Sequence, residues 1–204
     1  MRIHKYNSIE EYKKIQEDGN KRKIDCVFVN NKVVETISKY IKEKIPNPSF
    51  GICHGTRRGV EQSLFSKNTG ATVIGTEISS TATQFPDTIQ WDFHDTKPEW
   101  INNIDFIYSN SIDHSHTPEL ALSQWLKCLN DNGMCFIEYT VFNKHFSELD
   151  CFAANKVEML EFLKSIGDVV DIIRVKDFHK PRVNKQPRKM RYIVFVVKKK
   201  DTNE

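Results

Sequence analysis

The sequence predicts an α/β fold built on a mostly parallel sheet, with helices on both faces and a C-terminal antiparallel hairpin. Three observations carry this. From residue 48 onward, short apolar strand segments alternate with helical ones, and parallel neighbours need such crossovers. The two strongest helical segments carry their own start and stop signals. The last two apolar segments are rich in β-branched residues and flank a basic stretch, which makes them a long hairpin.

Each element follows from local signals. Ile9, Tyr12 and Ile15 lie at helical spacing, and "EDGNKRK" after them reads as a glycine-containing stop. Val34, Ile37, Ile41 and Ile45 set a second helix, capped by Asn30 or Asn31 and ended by Pro46 and Pro48. "SFGIC" is a strand, "GVEQSLFSK" a helix, and "ATVIGTEI", "DTIQWDF" and "IDFIYSN" are strands. In "TPELALSQWLKCLNDNG", Leu122, Trp125, Leu126 and Leu129 form one apolar stripe. Thr117 caps that helix with Pro118 at its first position, and Gly133 stops it. "MCFIEYT" is the next strand. "NKVEMLEFLKSIG" repeats the helical scheme, with Asn155 and Glu158 at capping-box spacing, a stripe of Met159, Phe162, Leu163 and Ile166, and Gly167 at the end. "DVVDIIRV" and "MRYIVFVV" form the closing hairpin.

The 204 residues suffice for one well-buried domain. With 30 Lys and Arg against 27 Asp and Glu, the net charge of +3 is too balanced to point to nucleic acid by itself. Five scattered cysteines without a C-x-x-C pair argue against a disulfide framework or a thiolate zinc site, and for a reduced, cytoplasmic setting. The N-terminus lacks the apolar core of a signal peptide, and no apolar run reaches the roughly 18 residues that span a bilayer. No membrane association is expected.

In an open parallel sheet, ligands bind beyond the carboxyl ends of the strands. The first such end is "FGICHGTRRG", residues 50–59, whose glycines let the backbone approach a ligand and whose following helix offers its N-terminus. Gly51, Gly55 and Gly59 stand four apart, so neither the dinucleotide fingerprint G-x-G-x-x-G nor a phosphate loop is present. Gly51, Cys53, His54, Gly55, Thr56 and Arg57 are the loop's candidates for cofactor contact. The next strand ends in Glu77, about twenty residues on, where a carboxylate meets ribose hydroxyls, with Ile78 placed to lie on a base. The third strand ends just ahead of Asp92, which can accept from an adenine amino group while the Phe93 amide meets a ring nitrogen. Consecutive strand ends thus point to one nucleoside.

With these residues the chain resembles the class I S-adenosylmethionine-dependent methyltransferases over residues 48–198. Members of that family end their first strand in a pattern like D-x-G-x-G-x-G. An acidic residue ends the second strand, an aspartate follows the third, and an Asn- or Asp-containing turn follows the fourth. Here the first motif reads "GICHGTR": Gly51 takes the aspartate position, Cys53 and Arg57 take glycine positions, and Gly55 matches. Backbone contacts from Cys53, His54 and Gly55 survive that change. Glu77, Asp92, "IDFIYSNSIDHS" and "NDNGMCFIEY" follow the rest of the pattern. The resemblance implies a Rossmann-like, seven-stranded methyltransferase domain over residues 47–204, preceded by a helical cap or lid over residues 1–46. It implies S-adenosyl-L-methionine as cofactor, S-adenosyl-L-homocysteine as product, and Asn110 at the methionine end.

Methyl transfer from a sulfonium needs alignment, desolvation and, for a protonated acceptor, a base. The turn after the fourth strand offers His114 as that base, since an imidazole titrates near neutral pH, with Asp113 beside it. His116 reads as an exposed residue flanking the Thr117 cap. No metal is expected, because no two of the nearby Asp and His residues stand at the i, i+4 spacing of a helical zinc pair.

The acceptor is less sharply marked. Where amino-methylating DNA enzymes of this fold carry N-P-P-Y or D-P-P-Y, this chain has "NSID", and the Pro-Cys pair of cytosine C5 enzymes is missing. The basic segment "HKPRVNKQPRKMR", residues 179–191, leaves RNA or DNA methylation as the alternative, although a solvated hairpin loop accounts for it equally. The irregular first motif leaves a non-catalytic binding module as a third reading. With no large insertion to grip a macromolecule, a small-molecule or sugar-like acceptor, O- or N-methylated, is favoured.

Overall fold

Helix boundaries follow caps and tertiary contacts, as the computed structural model of residues 1–180 and 186–200 shows. Ser8 starts α1 (Ile9–Arg22), its hydroxyl accepting from the Glu11 amide at 3.1 Å. Gly19, expected as a stop, lies inside that helix against the Leu149 side chain. A close approach there outweighs glycine's poor helix propensity. The buried face of α1 is Tyr12, Gln16, Gly19 and Asn20 rather than Ile9–Tyr12–Ile15, and Ile9 is exposed. Polar residues occupy this inward face because it covers a cavity instead of the core. The Asn30 side chain starts α2 (Asn31–Lys44) by accepting from the Val33 amide at 3.2 Å, and Ile45 ends it ahead of Pro46.

The remaining helices are α3 (Val60–Thr69), α4 (Pro118–Cys128) and α5 (Lys156–Ile166). The Asn155–Glu158 capping box opens α5 with both reciprocal bonds present. Strands are β1 (Arg2–Ile3), β2 (Phe50–His54), β3 (Thr72–Glu77), β4 (Thr88–Gln90), β5 (Ile104–Ser109), β6 (Leu129–Tyr139), β7 (Phe152–Ala153), β8 (Asp168–His179) and β9 (Arg188–Lys198). Seven of them form one sheet in the order β4-β3-β2-β5-β6-β9-β8. Within it β9 runs antiparallel to both its neighbours, and the other pairings are parallel. The expected α/β fold, mostly parallel with a C-terminal hairpin, is therefore the observed one. Strand order reverses between β2 and β5, and such a reversal opens a crevice at the carboxyl ends. A separate β1–β7 ribbon ties the N-terminus to the segment after β6, and its strands are too short to leave a sequence pattern.

Alternation along each strand divides the core into two layers. Ile52 and Ile107 face α4 and α5, with Trp125, Leu126 and Phe162 in the same layer. Cys53, Phe106 and Tyr108 face the opposite layer, which holds Ile37 and Ile41 of α2 and Phe65 of α3. At the far end of the sheet from the crevice, the Asp105 carboxylate accepts from the Ser49 and Phe50 amides at 2.7 and 2.9 Å and from Asn130 at 2.8 Å. That clamp joins β2, β5 and β6.

Two expected boundaries move. The fourth helix ends at Cys128 instead of running to Gly133, because Leu129 pairs with Ile104 and begins β6. Sheet pairing overrides the apolar stripe that assigned Leu129 to the helix. Gly133 lies in β6, where a Cβ would meet the Ile104 carbonyl oxygen at 2.7 Å. The hairpin is longer than its apolar runs, with pairing from Asp168 opposite Lys198 to His179 opposite Arg188. Residues 181–185 of the basic segment lie outside the described residues.

Gly51 sits in mid-strand with the Phe106 ring filling the space a Cβ would need. Gly51→Ala should therefore lower stability by about 1–3 kcal/mol through overpacking, read as a reduced urea midpoint. Unchanged stability would show that the ring moves aside freely.

Candidate functional site

The loop after β2 turns sharply through left-handed backbone at Gly55 and Arg57, with φ of 75° and 44°. A side chain at Gly55 would also collide with Ser111, whose Cβ would lie 2.6 Å away. The Gly55 and Thr56 amides donate to the Thr76 carbonyl at 2.9 and 3.1 Å. One residue further, the Arg57 amide donates to Glu77 Oε2 at 3.0 Å, and the Ser79 amide donates to Oε1 at 3.1 Å. The buried Glu77 carboxylate thereby locks the loop onto the end of β3.

Two adjoining cavities open on this loop. The smaller, about 50 Å³, is lined by Glu77, Ile78, Asp92 and Phe93, and is covered by Tyr12 and Asn20 of α1. The larger, about 330 Å³, is lined among others by Thr56, Glu61, Asn110, Asp113, Glu138 and Tyr192. Gly55, Arg57, Ser111 and His114 border both. The candidates at the ends of β3, β4 and β5 thus come together.

Three loop candidates do not join them. Gly51, Cys53 and His54 line neither cavity, because they belong to β2 itself and point into its two core layers. Cys53 is fully buried, and burial pushes its thiol well above the ordinary range. The His54 ring stacks on Trp125 at 4.7 Å, and its Nδ1 lies 2.8 Å from Thr76 Oγ1. Burial pushes its pKa down to about 3, so the ring is neutral.

Asp92 is held in place by a short chain of polar contacts. Its Oδ1 accepts from the His94 amide at 3.1 Å and lies 2.7 Å from His94 Nδ1, while His94 Nε2 lies 2.7 Å from Ser115 Oγ. Burial alone would raise the Asp92 pKa, but these bonds to His94 bring it below the usual value. His116, expected in solvent, is half-buried, with ring centroids 4.2 Å from His94 and 4.4 Å from Tyr12. Burial pushes it down to about 4. The Tyr12 ring of α1 therefore docks edge-on against His94 and His116.

His114 presents one nitrogen to the site. Its Nδ1 lies 2.8 Å from the Leu149 carbonyl and 3.1 Å from Gln16 Oε1, both acceptors, so in the neutral ring Nδ1 carries the hydrogen and Nε2 the lone pair. Nε2 is 3.9 Å from Asp150 Oδ1. Asp113 Oδ1 is buried without a hydrogen-bond partner. Its pKa is raised by burial, with Asp150 adding to the effect and His114 and Lys23 opposing it. Asp113, His114 and Asp150 each place one ligating atom within 4.8 Å of the others, the one set among the described residues compact enough to take a cation.

Two acids of the larger cavity escape motif reading. Glu61 lies in the first turn of α3, and Glu138 is the next-to-last residue of β6, where it accepts from the Tyr108 hydroxyl at 2.7 Å. Burial raises each to about 7, and the Glu138 charge adds to the rise at Glu61. A lone acid near the end of the apolar run "MCFIEYT" was the available signal. Unpartnered buried polar atoms also gather here. Those of Thr56, Arg57, Asp113, His179 and Tyr192 all belong to walls of this cavity. Such atoms cost free energy until something binds them.

No protein-family model and no curated protein sequence matches the chain. Solved structures do match its fold. A Burkholderia thailandensis 1,6-didemethyltoxoflavin-N1-methyltransferase with bound 1,6-didemethyltoxoflavin and S-adenosylhomocysteine aligns at TM-score 0.61 and 13% identity, over 97% of this chain and 93% of that one. A Synechocystis magnesium protoporphyrin IX methyltransferase with bound S-adenosylmethionine aligns at TM-score 0.58 and 10% identity, over 95% and 100%. A Corynebacterium glutamicum TehB-like S-adenosylmethionine-dependent methyltransferase aligns at 0.51 and 17%, over 80% and 86%. The chain has the Rossmann-like fold of the class I S-adenosylmethionine-dependent methyltransferases.

Burial gives the Glu138 charge a measurable cost. Its proton is bound more tightly in the folded than in the unfolded chain, so ionisation removes stability as pH rises from the ordinary carboxylate range through about 7. Glu138→Gln, which still accepts from Tyr108, should stabilise the ligand-free protein over wild type by about 1–3 kcal/mol at pH 8 and by little at pH 5. Denaturant titrations at the two pH values check this, and a difference that does not change with pH would contradict it.

Proposed function

We propose that the protein is an S-adenosyl-L-methionine-dependent methyltransferase that acts on a small-molecule acceptor and releases S-adenosyl-L-homocysteine. The observation that carries this is the convergence of Glu77, Ile78, Asp92 and Phe93 on one cavity that shares its border residues with a larger one. In this assignment Glu77, already fixed by two amides, meets the ribose hydroxyls. Asp92 and the Phe93 backbone recognise the adenine, with the Ile78 side chain against its face. Gly55, Thr56 and Arg57 follow the tail, and Asn110 and Glu61 take its ammonium. Glu61 would then replace the acid that Gly51 does not supply, and a cation beside it relieves its buried charge.

Bound there, the donor would supply a methyl group activated by its sulfonium. The chain's own residues align the acceptor, exclude water and handle a proton. His114 borders both cavities, and its free Nε2 is the atom assigned to take that proton. Asp113 and Asp150 stabilise the imidazolium that results. We assign this trio to proton handling rather than to a metal, because Lys23 already counters the charge at Asp113.

Within residues 1–46, α1 acts as the lid. The Tyr12 hydroxyl donates to the His114 carbonyl at 3.1 Å and Gln16 donates to the Leu149 carbonyl at 3.0 Å, so closure and base positioning are linked. The α2 helix packs in the core layer shared with Cys53 and Phe106 and stays in place. A cavity of about 330 Å³ suits a small acceptor, O- or N-methylated, better than an RNA or DNA segment. The cytoplasm is the assigned compartment, and no helix among the described residues is long and apolar enough to cross a membrane.

Calorimetry with S-adenosylhomocysteine tests the donor site. Asp92→Ala should weaken binding by about 1–3 kcal/mol, and equal affinity would remove Asp92 from the site. For the base, a labelled-donor screen of small molecules supplies an acceptor turned over by wild type. On it, His114→Gln should slow transfer by about 10²–10⁴-fold while S-adenosylhomocysteine still binds. An unchanged rate would reject His114.

A further inference from the structure

We propose that the wall of the larger cavity formed by Glu138, Tyr192 and His179 is a subsite for a cationic amine carried by the methyl acceptor. The inference rests on the methyltransferase assignment for its word "acceptor", and on the wall itself for the amine. Glu138 is 3% exposed and lines the cavity, and the one hydrogen bond described for its carboxylate reaches Oε2 from Tyr108. No cation is paired with it among the described residues. Such a buried charge calls for a positive partner.

Its two neighbours on the wall have polar atoms with nothing to meet. Tyr192 is 2% exposed, and its hydroxyl makes no hydrogen bond of good geometry, although it senses Glu138 and the Asn30 side chain. Asn30 is committed elsewhere: its amide donates to Asp177 and to the Phe178 carbonyl, and its oxygen accepts from the Val33 amide. His179, 9% exposed, has an Nε2 without a hydrogen-bond partner among the described residues, and burial lowers its pKa, which favours the neutral ring. The wall therefore offers a carboxylate, a hydroxyl oxygen and an imidazole Nε2 that accepts in the Nδ1-protonated tautomer.

An ammonium brings three N–H donors and a positive charge, which matches this set. An alcohol brings one donor and no charge. A carboxylate brings none, and its charge would oppose Glu138 and Glu61. The cations already on the cavity are engaged elsewhere: the Arg57 guanidinium lies 5.0 Å over the Phe28 ring and donates to the Cys26 carbonyl at 3.3 Å, Arg58 lies 5.9 Å over the Phe85 ring, and Lys23 counters Asp113. Placing the amine at Glu138 leaves His114, which lines the same cavity, to serve the atom that is methylated.

The test titrates 2-phenylethylamine, 2-phenylethanol and phenylacetate into the protein, with and without saturating S-adenosylhomocysteine. We expect the amine to bind about 10-fold or more tightly than either analogue, and Glu138→Gln to weaken it on the order of 10- to 100-fold. Tyr192→Phe, which loses only a hydroxyl, should give a smaller loss, and S-adenosylhomocysteine should bind Glu138→Gln as it binds wild type. No amine binding, an alcohol that binds equally well, or an amine affinity unchanged in Glu138→Gln overturns the proposal. Failure of S-adenosylhomocysteine to bind wild type overturns the donor assignment instead, and the amine titration without it still reads the wall.

Discussion

Everything at the site depends on one carboxylate held by two backbone amides. Glu77, buried at the end of β3, receives the N–H groups of Arg57 and Ser79 at 3.0 and 3.1 Å. The first of these bonds reaches into the loop after β2, which has already turned through left-handed backbone at Gly55. Together with the Gly55 and Thr56 amides on the Thr76 carbonyl, that bond sets the loop against the crevice where strand order reverses, along the border between the two cavities. A carboxylate with two amide donors is also a preorganised acceptor for hydroxyls, since its orientation is settled before any ligand arrives.

Around this anchor the protein tolerates several costs that a purely structural crevice would avoid. Glu61 and Glu138 are buried with their pKa values raised to about 7, and five wall residues leave polar atoms unpaired. The inward face of α1 is Tyr12, Gln16, Gly19 and Asn20, where a core-packing helix would present aliphatic residues. The buried acids and unpaired atoms weaken the ligand-free protein, and a polar, partly cationic occupant of the kind proposed would relieve them. These features are concentrated on two adjoining cavities.

Much of this was legible in the sequence, for identifiable reasons. The parallel sheet followed from alternating segments, and α5 from the Asn155–Glu158 box, because both signals are local. Glu77 and Asp92 were legible because a strand end fixes where the next residues must point. Gly51, Cys53 and His54 were read as ligand contacts because loop and strand residues look alike in a short apolar run. Strand pairing placed them inside β2 instead, with Gly51 against Phe106 and His54 against Trp125. The end of α4 was misplaced because helical periodicity at Leu129 lost to its pairing with Ile104. Glu138 left only the faint signal of a lone acid in an apolar run and Tyr192 none, because each becomes significant only when β6 and β9 lie side by side.

A crystal structure of the protein with S-adenosylhomocysteine is the most direct measurement of the central assignment. The account predicts both ribose hydroxyls within hydrogen-bonding distance of the Glu77 carboxylate, and the adenine against Ile78 with its amino group toward Asp92. A complex in which the nucleoside lies elsewhere, or in which Glu77 keeps its two amides and touches no ligand atom, would contradict it.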